Sequence, residues 1–467
     1  MNLPNLNNAR IRNKTRVEYI MQENIVHKDL FENKKYFIKT YGCQMNVHDS
    51  EEIKASLENL GYEEVNDMKI ADLVILNTCA VRENAHDKVF GFLGRCKHLK
   101  KEKKDLIVCL CGCMAQEESV VNEIMSKHPY IDIVFGTHNI NQLSKLLIEK
   151  ENKQNIEVYS IEGNVFENIN YKRDSRVSAW VNIMYGCDKF CSYCIVPYTR
   201  GKQRSRKSEY ILEEVEKLKN DGYKEITLLG QNVNAYGKDL ENEINFAELL
   251  RRVSDIGIER IRFVTSHPWD FTDEMIDVIN ERENIMPYIH LPLQSGSSKI
   301  LRMMGRRYTK EEYLCLVDKI KSKIKNVAIT TDIIVGFPNE SEEDFKETLS
   351  VVDYVKYDGA FTFIYSPREG TPASQMQDLI PMSVKEERLN KLNKIVNNFA
   401  LMNNKSLENT IQKVLILGTS EKDENKIYGY TETMKLVNVV GNEDLIGKII
   451  DVKIVEAKSF SLDGIVL

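Results

Sequence analysis

Three cysteines stand as C-x3-C-x2-C in the run YGCDKFCSYCIVP: Cys187, Cys191 and Cys194. Thiolates this close in sequence can converge on one metal site from a single loop. Three ligands on a 4Fe-4S cube leave one iron without a protein ligand, free to bind a small molecule. A structural zinc would want a fourth Cys or His nearby, and His267 and His290 fall on other expected strands. Upstream, Cys43 follows the apolar run YFIKTY, Cys79 follows ADLVILNT, and Cys113 follows LIVCLCG. At the carboxyl ends of parallel strands these three could form a second site on one sheet edge. The alternative is scattered core cysteines, since free Cys is often buried. Cys96 lies in a helical pattern and Cys109 and Cys111 in a strand, which suits small apolar side chains, while Cys315 stands alone.

Such sites need a scaffold that gathers strand ends. The chain has 467 residues, roughly three times an average domain of ~150, so two to four domains are expected. With 42% hydrophobic and 29% charged residues it reads as a globular α/β protein. A formal charge of −6 excludes a globally basic nucleic-acid coat but leaves room for a local patch. The N-terminal MNLPNLNNARIRNKTRVEYI has no apolar signal core, and no stretch approaches about 18 uninterrupted apolar residues. A cytoplasmic protein without membrane association is expected, with its thiols reduced.

Texture divides the chain into five parts. Residues 1–34 are a polar extension with a weak helical pattern from Val17 to Ile25. Residues 35–150 alternate short apolar runs with amphipathic stretches, as in a doubly wound parallel sheet. Residues 151–172 are charged, Asn-rich and aperiodic, and read as a linker. Residues 173–404 repeat the βα alternation over six strands, SAWVNIM, EITLLG, RIRFVTS, YIHLPL, VAITTDIIVGF and AFTFIYS, which suits an open (β/α)6 barrel. Residues 405–467 carry short, closely spaced strands with Gly punctuation, expected as a small antiparallel β-barrel.

With an aromatic, Tyr193, before its last cysteine, the C-x3-C-x2-C loop resembles the signature of radical S-adenosylmethionine (SAM) enzymes. KTYGCQMNVHDSE, NTCAVRENA, CGCMAQ, GCDKFCSYCIVPYTRG, GQNVNAYG and VKIVEAKSFSLDG are similar to the methylthiotransferases. More narrowly, GCQMN, TSHP, HLPLQSGS and FIYSPREGTPA resemble the branch that acts on tRNA carrying N6-isopentenyladenosine. The similarity runs from about residue 35 to the end, with no departure at the six ligand positions. It implies a methylthiotransferase domain, a radical SAM core and a TRAM barrel. It also implies two 4Fe-4S clusters, one on Cys187, Cys191 and Cys194 and an auxiliary one on Cys43, Cys79 and Cys113; this decides for Cys113 over Cys111. All six cysteines are then catalytic. The implied reaction converts N6-isopentenyladenosine at tRNA position 37 to its 2-methylthio derivative, with electrons from a flavodoxin- or ferredoxin-type donor. Sister branches act on threonylcarbamoyladenosine or on a ribosomal-protein aspartate, and an iron–sulfur electron carrier is the non-enzymatic alternative.

A radical cofactor suits this substitution, because the C2–H bond of adenine offers neither an acidic proton nor a leaving group. Polar residues just past the barrel strands are then candidate SAM contacts: Gln231, Asn232, Asn234, Ser266 and Gln294, the last beside Ser295. Capping of the following helix is the alternative for each. For a tRNA anticodon stem-loop, Arg200, Lys202, Arg204, Arg206 and Lys207 follow the cysteine loop without an acid among them. Arg306 and Arg307 recur with Arg302 and Lys310. Both runs read as a phosphate track, or else as solvated helix faces. Residues 409–467 hold seven Lys against nine Asp and Glu, so the C-terminal barrel does not advertise RNA binding by charge.

Overall fold

In the N-terminal part the chain lays down β1 (Tyr19–Met21), β2 (Lys35–Tyr41), β3 (Glu63–Glu64), β4 (Leu73–Thr78), β5 (Ile107–Gly112), β6 (Ile133–Phe135), β7 (Asn155–Glu157) and β8 (Val165–Glu167). The computed structural model describes residues 3–5, 17–22, 26–80, 83–150, 153–159, 164–421 and 423–467. They fall into two units, the first being Met1–Asp174 with Met184–Phe190 and Cys194–Arg206. Six of its strands make one parallel sheet in the order β3-β2-β4-β5-β6-β7. β4 and β5 are apolar almost end to end because both sheet faces are covered. Leu73, Ile75, Cys109 and Cys111 pack with Ile53 and Leu57 of the helix Gln44–Asn59. Val74, Leu76, Val108 and Leu110 turn the other way, to Val89, Phe92 and Leu93 of the helix Glu83–Glu102. Helices on both faces make the sheet doubly wound, and its order reverses between β2 and β4. The carboxyl ends of those two strands are where such sheets bind ligands.

Two sequence expectations are corrected in this unit. Residues 151–172 are not simply a linker: β7 is the sixth strand of the sheet, and Ile156 and Val158 are fully buried in its core. A strand of three residues between charged neighbours is too short to show its alternation. The extension also contributes, since β1 pairs in parallel with β8 and Tyr19 Oη donates to the Ser205 carbonyl at 2.8 Å. Where a helix was expected there is a strand, because so short a helix is marginal alone whereas pairing satisfies the backbone. Residues 23–25 of that expected helix lie outside the described residues.

The second unit is Ser175–Ile183, Cys191–Tyr193 and Lys207–Leu467. It opens with β9 (Ser178–Asn182). The chain then returns to the first unit for the antiparallel pair β10 (Met184–Tyr185) and β11 (Arg204–Ser205), before continuing with β12 (Glu225–Leu229), β13 (Arg260–Phe263), β14 (Tyr288–His290), β15 (Ala328–Val335) and β16 (Gly359–Ile364). The sheets β13-β12-β9 and β14-β15-β16 are parallel throughout, and a bridge between Ile261 and Ile285 joins them into one open arc. Its strands are those expected from the sequence, and helices separate successive pairs.

β17 (Ile411–Ser420), β18 (Asp423–Thr431), β19 (Leu436–Val440), β20 (Ile449–Ala457) and β21 (Leu462–Val466) close into a barrel around Val414, Ile416, Ile427, Val437, Val452 and Ile454. Four of its ladders are antiparallel, while β19 and β21 run parallel. Directions cannot alternate all the way round a ring of five strands, so at least one like-directed pair is required. Arg260 and Arg262 of β13 bind this barrel's backbone. Arg260 donates to the Tyr430 and Lys413 carbonyls at 2.8 and 3.0 Å, and Arg262 to those of Glu432 and Thr431, both at 2.8 Å. Glu225 neutralises Arg262 at 2.7 Å.

Candidate active site

At the switch point of the first unit, Cys43 is the residue from which the helix Gln44–Asn59 starts, and Cys79 follows β4 directly. Two buried asparagines lock these neighbours together. Asn46 Nδ2 donates to Asn77 Oδ1 (3.1 Å) and the Thr78 carbonyl (3.2 Å), and Asn77 Nδ2 donates back to the Asn46 carbonyl (2.8 Å) and to Ser50 Oγ (2.9 Å). A hydrogen bond with Cys79 lowers the Cys43 thiol pKa to about 5; burial opposes this, while the Arg200 charge and the Asn46 and Met45 amides assist. Cys113 follows β5 by way of Gly112, whose φ of +92° and clearance of 2.4 Å to the Thr78 carbonyl admit no side chain. That turn separates two sulfurs, leaving Cys111 in the sheet core while Cys113 faces Arg200.

Arg200 is the centre of this edge. It is buried, with Nε donating to Cys113 Sγ at 3.2 Å and Nη2 to Asp49 Oδ2 at 2.6 Å. Burial pushes the Cys113 thiol up and the Arg200 charge pulls it back, whereas Cys96, Cys109 and Cys111 are buried thiols raised well clear of neutral pH by desolvation. Ala80, Ile195 and Tyr198 make an apolar wall beside Cys113. His138, just past β6, is buried with its Nδ1 unpartnered, and burial together with Arg204 and Arg200 keeps its ring neutral. Among the described residues, no group of three or more His, Cys, Asp or Glu side chains meets at the distance of one metal ion.

The loop of Cys187, Cys191 and Cys194 is divided between the units, with only Cys191 in the second. In the first unit the Cys187 amide donates to the Gly201 carbonyl at 3.1 Å, and Cys187 Sγ accepts from the Lys189 amide at 3.4 Å. In the second, Cys191 is buried and its Sγ accepts from Arg306 Nη1 at 3.5 Å. The next residue, Ser192, is pinned by its amide on the Met304 carbonyl and its Oγ on that of Met303, both at 2.8 Å.

Of the expected SAM contacts, Gln231 Oε1, Asn232 Oδ1 and Ser266 Oγ are buried acceptors without a partner, just past β12 and β13. Asn232 Nδ2 is oriented by Asp270 Oδ2 at 2.8 Å. Unpartnered buried polar atoms of this kind are what a polar ligand satisfies. Asn234 is different: its amide group is spent on the His267 backbone, donating to the carbonyl and accepting from the N–H, both at 2.9 Å. Asn234 therefore neither caps the helix that follows it nor keeps its amide open, but braces the loop at His267. Gln294, with φ +69°, is buried and its backbone pairs with β15 beside Ile333. Ser295 Oγ is engaged by Thr348 and the Ser297 amide.

The sequence of the first unit from 35 to 136 matches the family model "Uncharacterized protein family UPF0004", residues 181–352 match the radical SAM superfamily, and residues 405–467 match the TRAM domain. The chain is 53% identical over 466 residues to the tRNA-2-methylthio-N(6)-dimethylallyladenosine synthases of Staphylococcus aureus strains JH9 and Newman, covering 99% of this chain and 91% of those. It belongs to this family of radical SAM methylthiotransferases. Among solved structures, the radical SAM methyltransferase TsrM of Kitasatospora setae aligns with a TM-score of 0.53 at 14% identity, over 73% of this chain and 77% of that one. That likeness is one of fold.

Membership makes the chain an enzyme and makes SAM and an iron–sulfur cluster its family's cofactors. The residues present fit those groups. Iron takes thiolates, and Cys43 is held toward its thiolate while Cys113 has a buried guanidinium on its sulfur. Three unpartnered acceptors stand ready past the barrel strands.

The expected phosphate track is corrected by the same side chains. Arg200 is committed to Cys113 and Asp49. Arg204 is buried with Nη2 on the Arg200 carbonyl at 3.4 Å, and Arg206 is buried on Glu167, from Nε at 2.9 Å and Nη2 at 2.6 Å. Arg306 is buried on Cys191. All four guanidinium groups are thus buried and engaged within the fold rather than laid out on a solvated face. Lys202 is half-buried, and Arg307 is exposed over the half-exposed ring of Trp269, 4.9 Å from its centroid. Sequence reasoning missed Asp49 and the true employment of Arg200 and Arg306. The available signal was one of position, an arginine six residues past the last cysteine and an acid six past the first.

Proposed function

We propose that this enzyme transfers a methylthio group to C2 of N6-isopentenyladenosine at position 37 of tRNA, using two 4Fe-4S clusters and SAM, with electrons from a flavodoxin- or ferredoxin-type donor. The observation that carries the reading is the second cysteine set. A radical SAM core needs only Cys187, Cys191 and Cys194, and a carrier of electrons would need closed clusters, so an additional trio at a ligand-binding sheet edge points to sulfur handling.

When bound, SAM and the clusters supply the methyl group and the radical chemistry that no side chain can. The chain's own residues do the rest. Cys43, Cys79 and Cys113 hold the auxiliary group, with Arg200 offsetting negative charge at Cys113 and Asp49 fixing Arg200. Gln231, Asn232 and Ser266 accept hydrogen bonds from SAM, and Asp270 orients Asn232. Lys202 and Arg307 contact phosphates of the anticodon stem-loop, and Trp269 offers a ring on which an unstacked base can lie.

An isopentenyl group needs only an apolar wall, whereas a threonylcarbamoyl group brings a carboxylate that wants a dedicated cation. Arg200 and Arg306 are each engaged within their own unit, on Asp49 with Cys113 and on Cys191, which favours the neutral substrate. The test is methylthiolation of three matched anticodon stem-loops carrying isopentenyladenosine, threonylcarbamoyladenosine or plain adenosine. Product should form on the first, with little on plain adenosine, since a buried tail contributes about 0.8 kcal/mol per CH2. Preference for the threonylcarbamoyl loop would overturn the choice of branch.

A further inference from the structure

Two arginines donate to cysteine sulfurs, and their surroundings differ in one respect. Arg200 is buried between Cys113 and a carboxylate, Asp49, at 2.6 Å. Arg306 is equally buried, but its partners are all neutral except one sulfur. Nε donates to Tyr308 Oη at 3.0 Å, Nη2 to the Pro292 carbonyl at 3.0 Å, and Nη1 to Cys191 Sγ at 3.5 Å. The Tyr308 hydroxyl is itself used on the Leu293 carbonyl at 2.9 Å, so the guanidinium is held rigidly. Among the described residues no carboxylate shares it. A buried cation without an anion is costly, and one is retained where an anion is meant to sit. Cys191 is the one thiol among these partners, and iron takes its sulfur as a thiolate.

We propose that Arg306 is a positioning residue that serves as the buried counter-charge of the iron–sulfur group held through Cys191, and that it raises that group's reduction potential relative to a neutral side chain. Adding one electron to the group adds one negative charge. A full positive charge fixed against a ligand sulfur in a low-dielectric site favours the reduced form, and hydrogen bonds to ligand sulfur act in the same direction. Arg200 exerts less of this effect, because Asp49 cancels most of its charge. Tyr308 contributes by fixing Nε.

The inference rests on the reading that Cys187, Cys191 and Cys194 hold iron, and not on the tRNA substrate. The experiment uses the full chain with Cys79→Ala, so that only this cluster titrates, reconstituted anaerobically and reduced by titanium(III) citrate. Iron content and the reduced-to-oxidised ratio are read by electron paramagnetic resonance at fixed potentials. Arg306→Gln should load iron and lower that ratio by about tenfold or more, a shift of about 59 mV per tenfold for one electron. Arg306→Lys, which keeps the charge, should stay within about threefold of the parent. If Gln fails to load iron while Lys loads it, the need for a counter-charge stands. An unchanged ratio in Arg306→Gln at full iron would overturn the proposal, as would equal shifts in both variants or loss of iron from both. Iron loading with the expected shift but no tRNA product would retain this inference and fail the proposed function. A Cys79→Ala parent with no iron would fail both.

Discussion

A guanidinium in a protein interior is held by what surrounds it, and here the surroundings decide between two uses of the same side chain. Arg200, Arg204 and Arg206 lie within seven residues that contain no acid, a pattern typical of phosphate binding, yet each is buried against a partner in the fold. The acids that compensate Arg200 and Arg206, namely Asp49 and Glu167, come from elsewhere in the chain, so local charge counting does not show them. The exposed or half-exposed cations of the two runs are Lys202, Lys207, Arg302, Arg307 and Lys310. Lys202→Gln and Arg307→Gln should therefore each weaken tRNA binding and flatten the plot of log affinity against log salt by about one unit of slope, as a lost phosphate contact does. Arg204→Gln should leave the slope unchanged and lower the melting temperature instead. A reduced slope in Arg204→Gln would restore the track read from sequence.

At the scale of elements, the loop that carries Gln294 is fastened to the start of the helix Glu342–Val355. Ser341 caps that helix in a reciprocal box with Asp344, and Asp344 also accepts from Ser297 Oγ at 2.7 Å and from Lys299 Nζ at 2.6 Å. Burial by itself would raise the Asp344 pKa; Lys299, Ser297 and Ser341 overcome it and hold the carboxyl at about 2. Because the folded value lies below the ordinary one near about 4, the carboxylate's stabilisation is present above that value and is lost as pH falls toward about 2. Asp344→Asn should be less stable than the parent near neutral pH, and the gap should close as the pH drops below about 4, as urea midpoints across that range will show. A gap independent of pH would assign the loss to packing. The six barrel strands and the parallel sheet were legible in the sequence, because apolar runs alternating with amphipathic stretches are local signals, whereas the Ser341 cap was not singled out there. β1, β7 and β8 were not legible, since three-residue strands are defined by their partners. Cys43, Cys79 and Cys113 could be placed at strand ends from pattern, and the family resemblance chose Cys113 over Cys111; spacing alone could not, because what parts those two sulfurs is the φ of Gly112.

At the scale of the second unit, the small barrel is seated through main-chain carbonyls captured by Arg260 and Arg262, and Lys435 reaches Asp358 at 2.8 Å. A barrel of net negative charge is thereby tied to the (β/α)6 core by two cations of the core and one of its own, independently of RNA. Arg262→Met would strand the buried Glu225 carboxylate and two carbonyls, a loss of about 3–5 kcal/mol. Amide exchange in β18 and β19 should rise while the N-terminal sheet stays protected; uniform loosening of the chain would contradict local seating.

The two cysteine sets lie far apart in sequence, with Cys43, Cys79 and Cys113 wholly in the first unit. On the proposed reading each set holds its own iron–sulfur group, and the two clusters should be lost independently. Anaerobically reconstituted protein is expected to hold about eight irons as two four-iron groups, with Cys187→Ala or Cys79→Ala each removing about half. The variants should also differ in what survives. Cys191→Ala should abolish formation of 5′-deoxyadenosine from SAM, because no open iron is then held at the barrel loop. Cys43→Ala should retain some of that cleavage yet give no methylthiolated tRNA, because the second site is the one the radical chemistry does not itself require. An iron content near four in the active parent, or methylthiolation by Cys43→Ala, would show that the N-terminal cysteines are the core residues their burial alone would suggest.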